Sequence, residues 1–189
     1  MSTLSNPMSG MGSMALAGMA PGGDGLSAGM MAGAWDQTEQ PFRQLNQFLR
    51  DEISAELSYR MTADRLAGTR DAPYLGLLRQ MEEEHGLAAE TLRQHVRDAG
   101  GEIDDASGSL GPWRSAARCG AGLFGASGAA GSALECLRTG ELHNLESYAA
   151  FAAGTTDRET GQLLRNLLIP IQQRHVRVLN ELLGQRYGA

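Results

Sequence analysis

The sequence contains no lysine; all sixteen of its basic residues are arginines, against twenty-two acidic ones, for a net charge of -6. This balance excludes a nucleic-acid-binding surface of the usual basic kind. No apolar run approaches the roughly 20 residues that a membrane-spanning helix needs. No basic residue precedes Arg43, and glycines break up the apolar residues before it, so the start of the chain does not read as a secretory signal. A cytoplasmic location is the resulting expectation. The two cysteines, Cys119 and Cys136, amount to neither a disulfide framework nor a metal-binding pattern. Aromatic residues are scarce, 5%, while glycines number 25, which points to a modest core and some irregular segments. What remains is an ordinary globular balance of 42% hydrophobic and 20% charged residues, and 189 residues suffice for one domain with a sizeable core.

Residues 1–37 carry eight of the glycines and seven of the nine methionines, with no periodicity and little charge. They read as a disordered, low-complexity tail. Clustered methionines can also bind soft ions such as Cu(I), but the compositional reading is the simpler one. Four helices are expected across 38–186. The first runs from about Pro41 to Leu66, with Thr38 as its cap; a short turn through Gly68 and Pro73 makes the second, about Pro73 to Asp98, its antiparallel neighbour. Gly100-Gly101 stops the second helix. A long glycine-rich connection containing Trp113 follows, long enough to return along the bundle so that the third helix, about 133–153, runs parallel to the second. A tight turn at 154–157, capped by Thr156 or Asp157, leads to the fourth, about 158–183. Pro170 lies inside that last pattern and predicts a bend near 166–170.

Polar groups occupy places that the helical stripes reserve for the core. Leu75, Leu78, Glu82, His85, Ala89, Leu92 and Val96 follow one another by steps of three and four, which lays them on one face. A buried carboxylate without a partner costs several kcal/mol, so something must compensate it. A metal ion can, because Glu-x-x-His is the pair that one helix contributes to a di-metal carboxylate site in a four-helix bundle. Helix one has Glu52 and Glu56 on its stripe, helix three has Glu141, and helix four has His175 with Gln172 beside it. Antiparallel pairing about the first turn sets Glu56 level with the Glu82/His85 pair and Glu52 a turn further away, so Glu56 is the expected partner. The candidate metal ligands are therefore Glu56, Glu82, His85, Glu141, Gln172 and His175. The competing reading makes the carboxylates solvated or ion-paired and His175 a hydrogen-bonded core residue. His95 and His143 fall off the stripes and are expected to face solvent.

In this order a lone carboxylate alternates twice with a carboxylate-or-amide-x-x-His pair, and short, long and short connections frame it. The arrangement resembles the ferritin-like superfamily of four-helix bundles, whose two helix pairs are joined by one long crossover. Ala99-Gly-Gly101 through Trp113, Glu135-Cys-Leu-Arg-Thr-Gly-Glu141, Tyr148 and Ile171-Gln-Gln-Arg-His175 look more closely like the bacterial family called domain of unknown function 2383, across about residues 40–185. That resemblance implies an all-α, ferritin-like four-helix bundle and a site for iron, as a di-iron centre or a single ion, with ferrous-iron oxidase activity as one outcome. Tyr59 and Tyr148 fall where buried tyrosines near such a site would be unsurprising. Gln172 stands where a standard di-iron site has a glutamate. The missing charge weakens a second metal position, and oxygen and imidazole ligands suit manganese or zinc as well as iron. The alternatives are a non-catalytic helical scaffold or stress-related interaction protein with a degenerate metal site, and a protein that makes its contacts through the Met/Gly-rich tail. A homodimer is compatible with the sequence, and a storage shell is not expected.

Overall fold

A computed structural model of the chain describes residues 28–67, 72–105, 113 and 129–187, with side chains for 41–67, 72–105, 113 and 131–185. The chain divides into two compact units, Met1–Asp36 and Gln37–Ala189, and the described side chains all belong to the second. Residues 1–27 of the expected tail lie outside the described residues.

Helices account for the described secondary structure, and no strand occurs among the described residues. Helix α1 (Ala28–Leu66) begins well before Pro41 and carries that proline inside it, so Thr38 is no cap. Ala28, Ala32, Ala34, Met30 and Met31 are good helix formers, and one interior proline removes only one backbone bond. A short 3-10 turn (Ala72–Tyr74) leads into α2 (Leu75–Asp98). That helix ends in a Schellman motif: Gly100 takes φ 78°, its N–H donates to Arg97, and the Gly101 N–H donates to Val96. Gly101 also lets Phe42 approach, since a Cβ there would lie 2.5 Å from the Phe42 ring.

The third long helix, α3 (Ala129–Gly154), is followed by α4 (Arg158–Leu163), whose cap is Asp157: its carboxylate accepts from the backbone N–H groups of Glu159 and Thr160. A π-helical turn (Leu164–Leu168) then continues into α5 (Ile169–Tyr187). The Ile169 N–H reaches back five residues to the Leu164 carbonyl. The wider turn stands just before Pro170, which has no N–H to continue the i to i-4 ladder, at the place where the sequence suggested a bend.

The core forms two apolar clusters with a polar belt between them. One contains Tyr59, Leu78, Met81, Trp113, Leu134, Leu137 and Leu179; the other contains Phe48, Leu49, Leu92, Tyr148, Leu164 and Leu168. Helix α1 passes from the second cluster to the first, α2 and α3 pass from the first to the second, and α4–α5 returns. Helices α2 and α3 thus run the same way, and each is antiparallel to α1 and to the fourth rod. Of the segment joining α2 to α3, residues 106–112 and 114–128 lie outside the described residues.

Trp113 from that segment is fully buried and donates through Nε1 to Asn144 Oδ1 at 3.2 Å. Gly140 makes room for it, because a Cβ there would meet the indole at 2.8 Å. Cys136 of α3 is disulfide-bonded, which corrects the reading of the cysteines from spacing alone; Cys119 lies outside the described residues. Disulfides persist mainly in oxidising compartments, so this one lends the cytoplasmic expectation no support. No helix of the described residues is long and apolar enough to cross a membrane.

Candidate metal centre

Helices α1, α2, α3 and α5 each send polar side chains into the belt between the two apolar clusters. Glu52 comes from α1, His85 from α2, Glu141 from α3, and Gln172 and His175 from α5, all of them 0–1% exposed. The helical repeat explains the convergence: Phe48, Glu52, Ala55 and Tyr59 succeed one another by steps of four, three and four, so Glu52 lies on the buried stripe of its helix.

The ligand atoms are in mutual contact. His85 sits between two carboxylates, with Nδ1 2.5 Å from Glu52 Oε2 and Nε2 2.9 Å from Glu141 Oε1. His175 Nδ1 lies 3.2 Å from the same Glu141 oxygen, and its Nε2 lies 2.6 Å from Glu84 Oε2. One ligand atom from each of His85, Glu141 and His175 can be chosen so that all lie within 4.8 Å of one another. Tyr59 donates to Glu141 Oε1 at 2.5 Å, Tyr148 donates to Glu52 Oε1, and Gln172 Nε2 donates to Glu52 Oε1 at 2.9 Å. The His85 and His175 rings are 4.9 Å apart, centre to centre.

The electrostatics follow from these contacts. Burial alone would lower the His85 pKa, but the charges of Glu141 and Glu52 outweigh it and raise the imidazole to about 10. Burial would likewise raise Glu141, yet the charge of His85 and the hydrogen bonds from His175 and His85 bring it down to about 2. Both tyrosines are pushed well above the ordinary phenol range, first by burial and then by the adjacent carboxylates, so they remain neutral donors. The raised pKa makes His85 a cation lying between the Glu52 and Glu141 side chains.

Two acceptors are left over. Glu141 Oε1 receives three donors while Oε2 receives none, and Gln172 Oε1 is also buried without a protein partner. Buried acceptors are rarely left in that condition. Two imidazoles and a carboxylate oxygen, from His85, His175 and Glu141, form a donor set suited to a divalent iron, manganese or zinc ion. The residues present therefore fit a metal, and a buried His85–Glu141–His175 group could hold one.

Of the residues expected from the sequence, the structure brings His85, Glu141, Gln172 and His175 together and leaves two outside. Glu56 pairs with Arg60 on its own helix, and its side chain is 30% exposed. Glu82 is bound by Arg60 Nε at 2.7 Å and Arg79 Nη1 at 2.6 Å. Those arginines hold its carboxyl below the usual range against the opposing effect of burial. Glu56 is one step off the Glu52 stripe; at Glu82 two causes act together, a rotation of the helix that puts Met81 in the core place expected for it and the two arginines that hold its carboxylate at the edge of the bundle.

Glu52 and Glu84 join the network in their stead. The steps from Phe48 to Tyr59 carried the signal for Glu52. Glu84 gives none on its own helix, since it reaches His175 from the side and also pairs with Arg174. His143 is exposed, but His95 is half-buried and meets Thr160 Oγ1 at 2.7 Å rather than solvent. No family model matches the chain, and no curated protein or solved structure matches it.

Proposed function

We propose that this is a ferritin-like metal-binding protein, akin to the family called domain of unknown function 2383, whose interior site takes a divalent transition ion, iron foremost. His85, Glu141 and His175 would hold the ion, with Gln172 as a further oxygen donor and Glu52 orienting His85 and Gln172. The carrying observation is the pair of buried acceptors without a protein partner, Glu141 Oε2 and Gln172 Oε1, beside two fully buried histidines. Ferrous iron in such a site would be open to oxidation by oxygen or peroxide, and this chain's own residues would exclude bulk water and supply neutral phenol donors, Tyr59 and Tyr148, to the ligand carboxylates.

One observation favours a second reading, a non-catalytic scaffold. Both nitrogens of His85 and both of His175 already face carboxylates, so ion pairing within the protein accounts for most of the buried charge. Calorimetric titration of metal-stripped protein with Fe(II) under anaerobic conditions, and with Mn(II) and Zn(II), separates the two. The metal reading expects saturable binding by the wild type and a loss of at least about 100-fold in Glu141→Gln, beyond the usual effect of supporting groups. Absence of binding for all three ions would leave the scaffold.

A further inference from the structure

A di-metal centre in a four-helix bundle uses a carboxylate from each of two helices and a Glu-x-x-His pair from each of the other two. This chain diverts that supply at two places. Glu82, the carboxylate of the α2 pair, is bound by Arg60 at 2.7 Å and Arg79 at 2.6 Å. The position three residues before His175 is Gln172, whose Nε2 donates to Glu52 Oε1 at 2.9 Å and brings no charge. Glu84, outside that pattern, touches His175 but also pairs with Arg174.

We propose that the centre takes one divalent ion per chain, and that Arg60 and Arg79 set this number by holding Glu82 out of the site; this rests on the metal-binding reading above. Charge balance carries the argument. Two carboxylates are fully buried in the centre, Glu52 and Glu141. Imidazoles bind metals in the neutral form. One divalent ion with two neutral imidazoles and two carboxylates leaves the interior neutral, which is the condition under which buried charge is tolerated. A second ion would leave two uncompensated positive charges among fully buried groups. The groups that could offset them are accounted for: Glu82 is committed to two arginines, Glu84 is balanced by Arg174, and position 172 is an amide.

The test counts Mn(II) bound per chain by full-length, metal-stripped protein, using native mass spectrometry together with the electron paramagnetic resonance signal of free Mn(II). The wild type should bind one ion, and Glu82→Gln should bind one ion with unchanged affinity, because Glu82 is not a ligand. The combined variant Arg60→Ala, Arg79→Ala, Gln172→Glu restores two carboxylates and should bind two. Both arginines are roughly half-exposed, with 48% and 44% of the side chain accessible, so their removal leaves the core intact. Two ions in the wild type, or loss of binding in Glu82→Gln, would overturn the proposal while leaving the metal reading standing. One ion in both the wild type and the combined variant would overturn the role given to Arg60 and Arg79. No ion in the wild type would overturn the metal reading itself, and this proposal with it.

Discussion

Replacing His85 with alanine tests the buried network directly. In the metal-free protein, the His85 imidazolium lies between Glu52 at 2.5 Å and Glu141 at 2.9 Å, all three with fully buried side chains. Removing one member of a buried charged group leaves its partners uncompensated, which costs about 3–5 kcal/mol. For a chain of this size each kcal/mol moves the melting temperature by about 2–4 °C, so His85→Ala should melt about 6–20 °C below the wild type. Glu82 stands three residues away on the same helix, but its partners Arg60 and Arg79 are roughly half-exposed. Each exposed pair of that kind contributes about 1 kcal/mol or less, so losing both in Glu82→Ala should cost at most about 2 kcal/mol and lower the melting temperature by no more than about 4–8 °C. The assay is far-UV circular dichroism on heating and in urea, with a chelator present throughout. A second arm gives a sign. If the cost comes from stranded carboxylates, adding Glu52→Gln to His85→Ala should recover part of the loss rather than add to it. Equal destabilisation by His85→Ala and Glu82→Ala, or additive losses in the double variant, would refute the assignment of His85 as the interior cation.

Gly140→Ala should lower stability by about 1–3 kcal/mol, since the new Cβ would meet the Trp113 ring at 2.8 Å; urea unfolding measures it, and a neutral result would mean that the indole can move. Asp157→Ala should cost about 1 kcal/mol at neutral pH through loss of the helix cap. The Thr160 hydroxyl, and then the backbone N–H groups of Thr160 and Glu159, hold the Asp157 carboxyl below its ordinary range despite partial burial. A depressed carboxylate stabilises the fold above its unfolded-state pKa, near 4, and loses that contribution as the pH falls through its folded value. The gap between wild type and Asp157→Ala should therefore close in acid, and a gap independent of pH would count against the cap. Phe48→Ala, in the cluster that includes Tyr148, should cost about 3–5 kcal/mol in the same urea experiment.

Helical periodicity made part of this centre legible and hid the rest for definite reasons. His85, Glu141 and His175 each occupy a core place in a run of leucines, where an imidazole or a carboxylate is conspicuous. Comparing levels along antiparallel helices is informative about height but carries no information about rotation. Glu52 and Glu56 differ by one turn in height, whereas what separates them is which face each presents: Glu52 shares its stripe with Phe48 and Tyr59, and Glu56 faces Arg60. Glu82 and Met81 were exchanged in the same way. Glu84 was invisible because its place depends on α5 as a neighbour and not on any pattern in α2. Pro170 announced an irregularity in the fourth rod, but that it takes the form of a π turn with an Ile169-to-Leu164 bond follows from packing that the sequence does not display.

Gln172 reads differently once its partners are known. From the sequence alone, an amide in place of a glutamate suggests decay of a metal site. In the structure its Nε2 donates to Glu52 Oε1 at 2.9 Å, beside the Tyr148 hydroxyl bonded to the same oxygen. A glutamate there would have no proton to donate and would set a second carboxylate against the first in a dry interior, where one of the two would have to stay protonated or find another cation. The amide therefore does for Glu52 what a charged residue could not. Its neutrality acts in the same direction as the arginines that draw Glu82 aside, and both lower the negative charge on offer inside the bundle. Independent losses from a decaying site would be expected to leave displaced charges without partners. Here Glu82 is fully paired, Glu52 is saturated by Gln172, Tyr148 and His85, and the unused oxygens belong to Glu141 and Gln172 themselves. Under the one-ion proposal, that is the arrangement of an interior adjusted to a single cation.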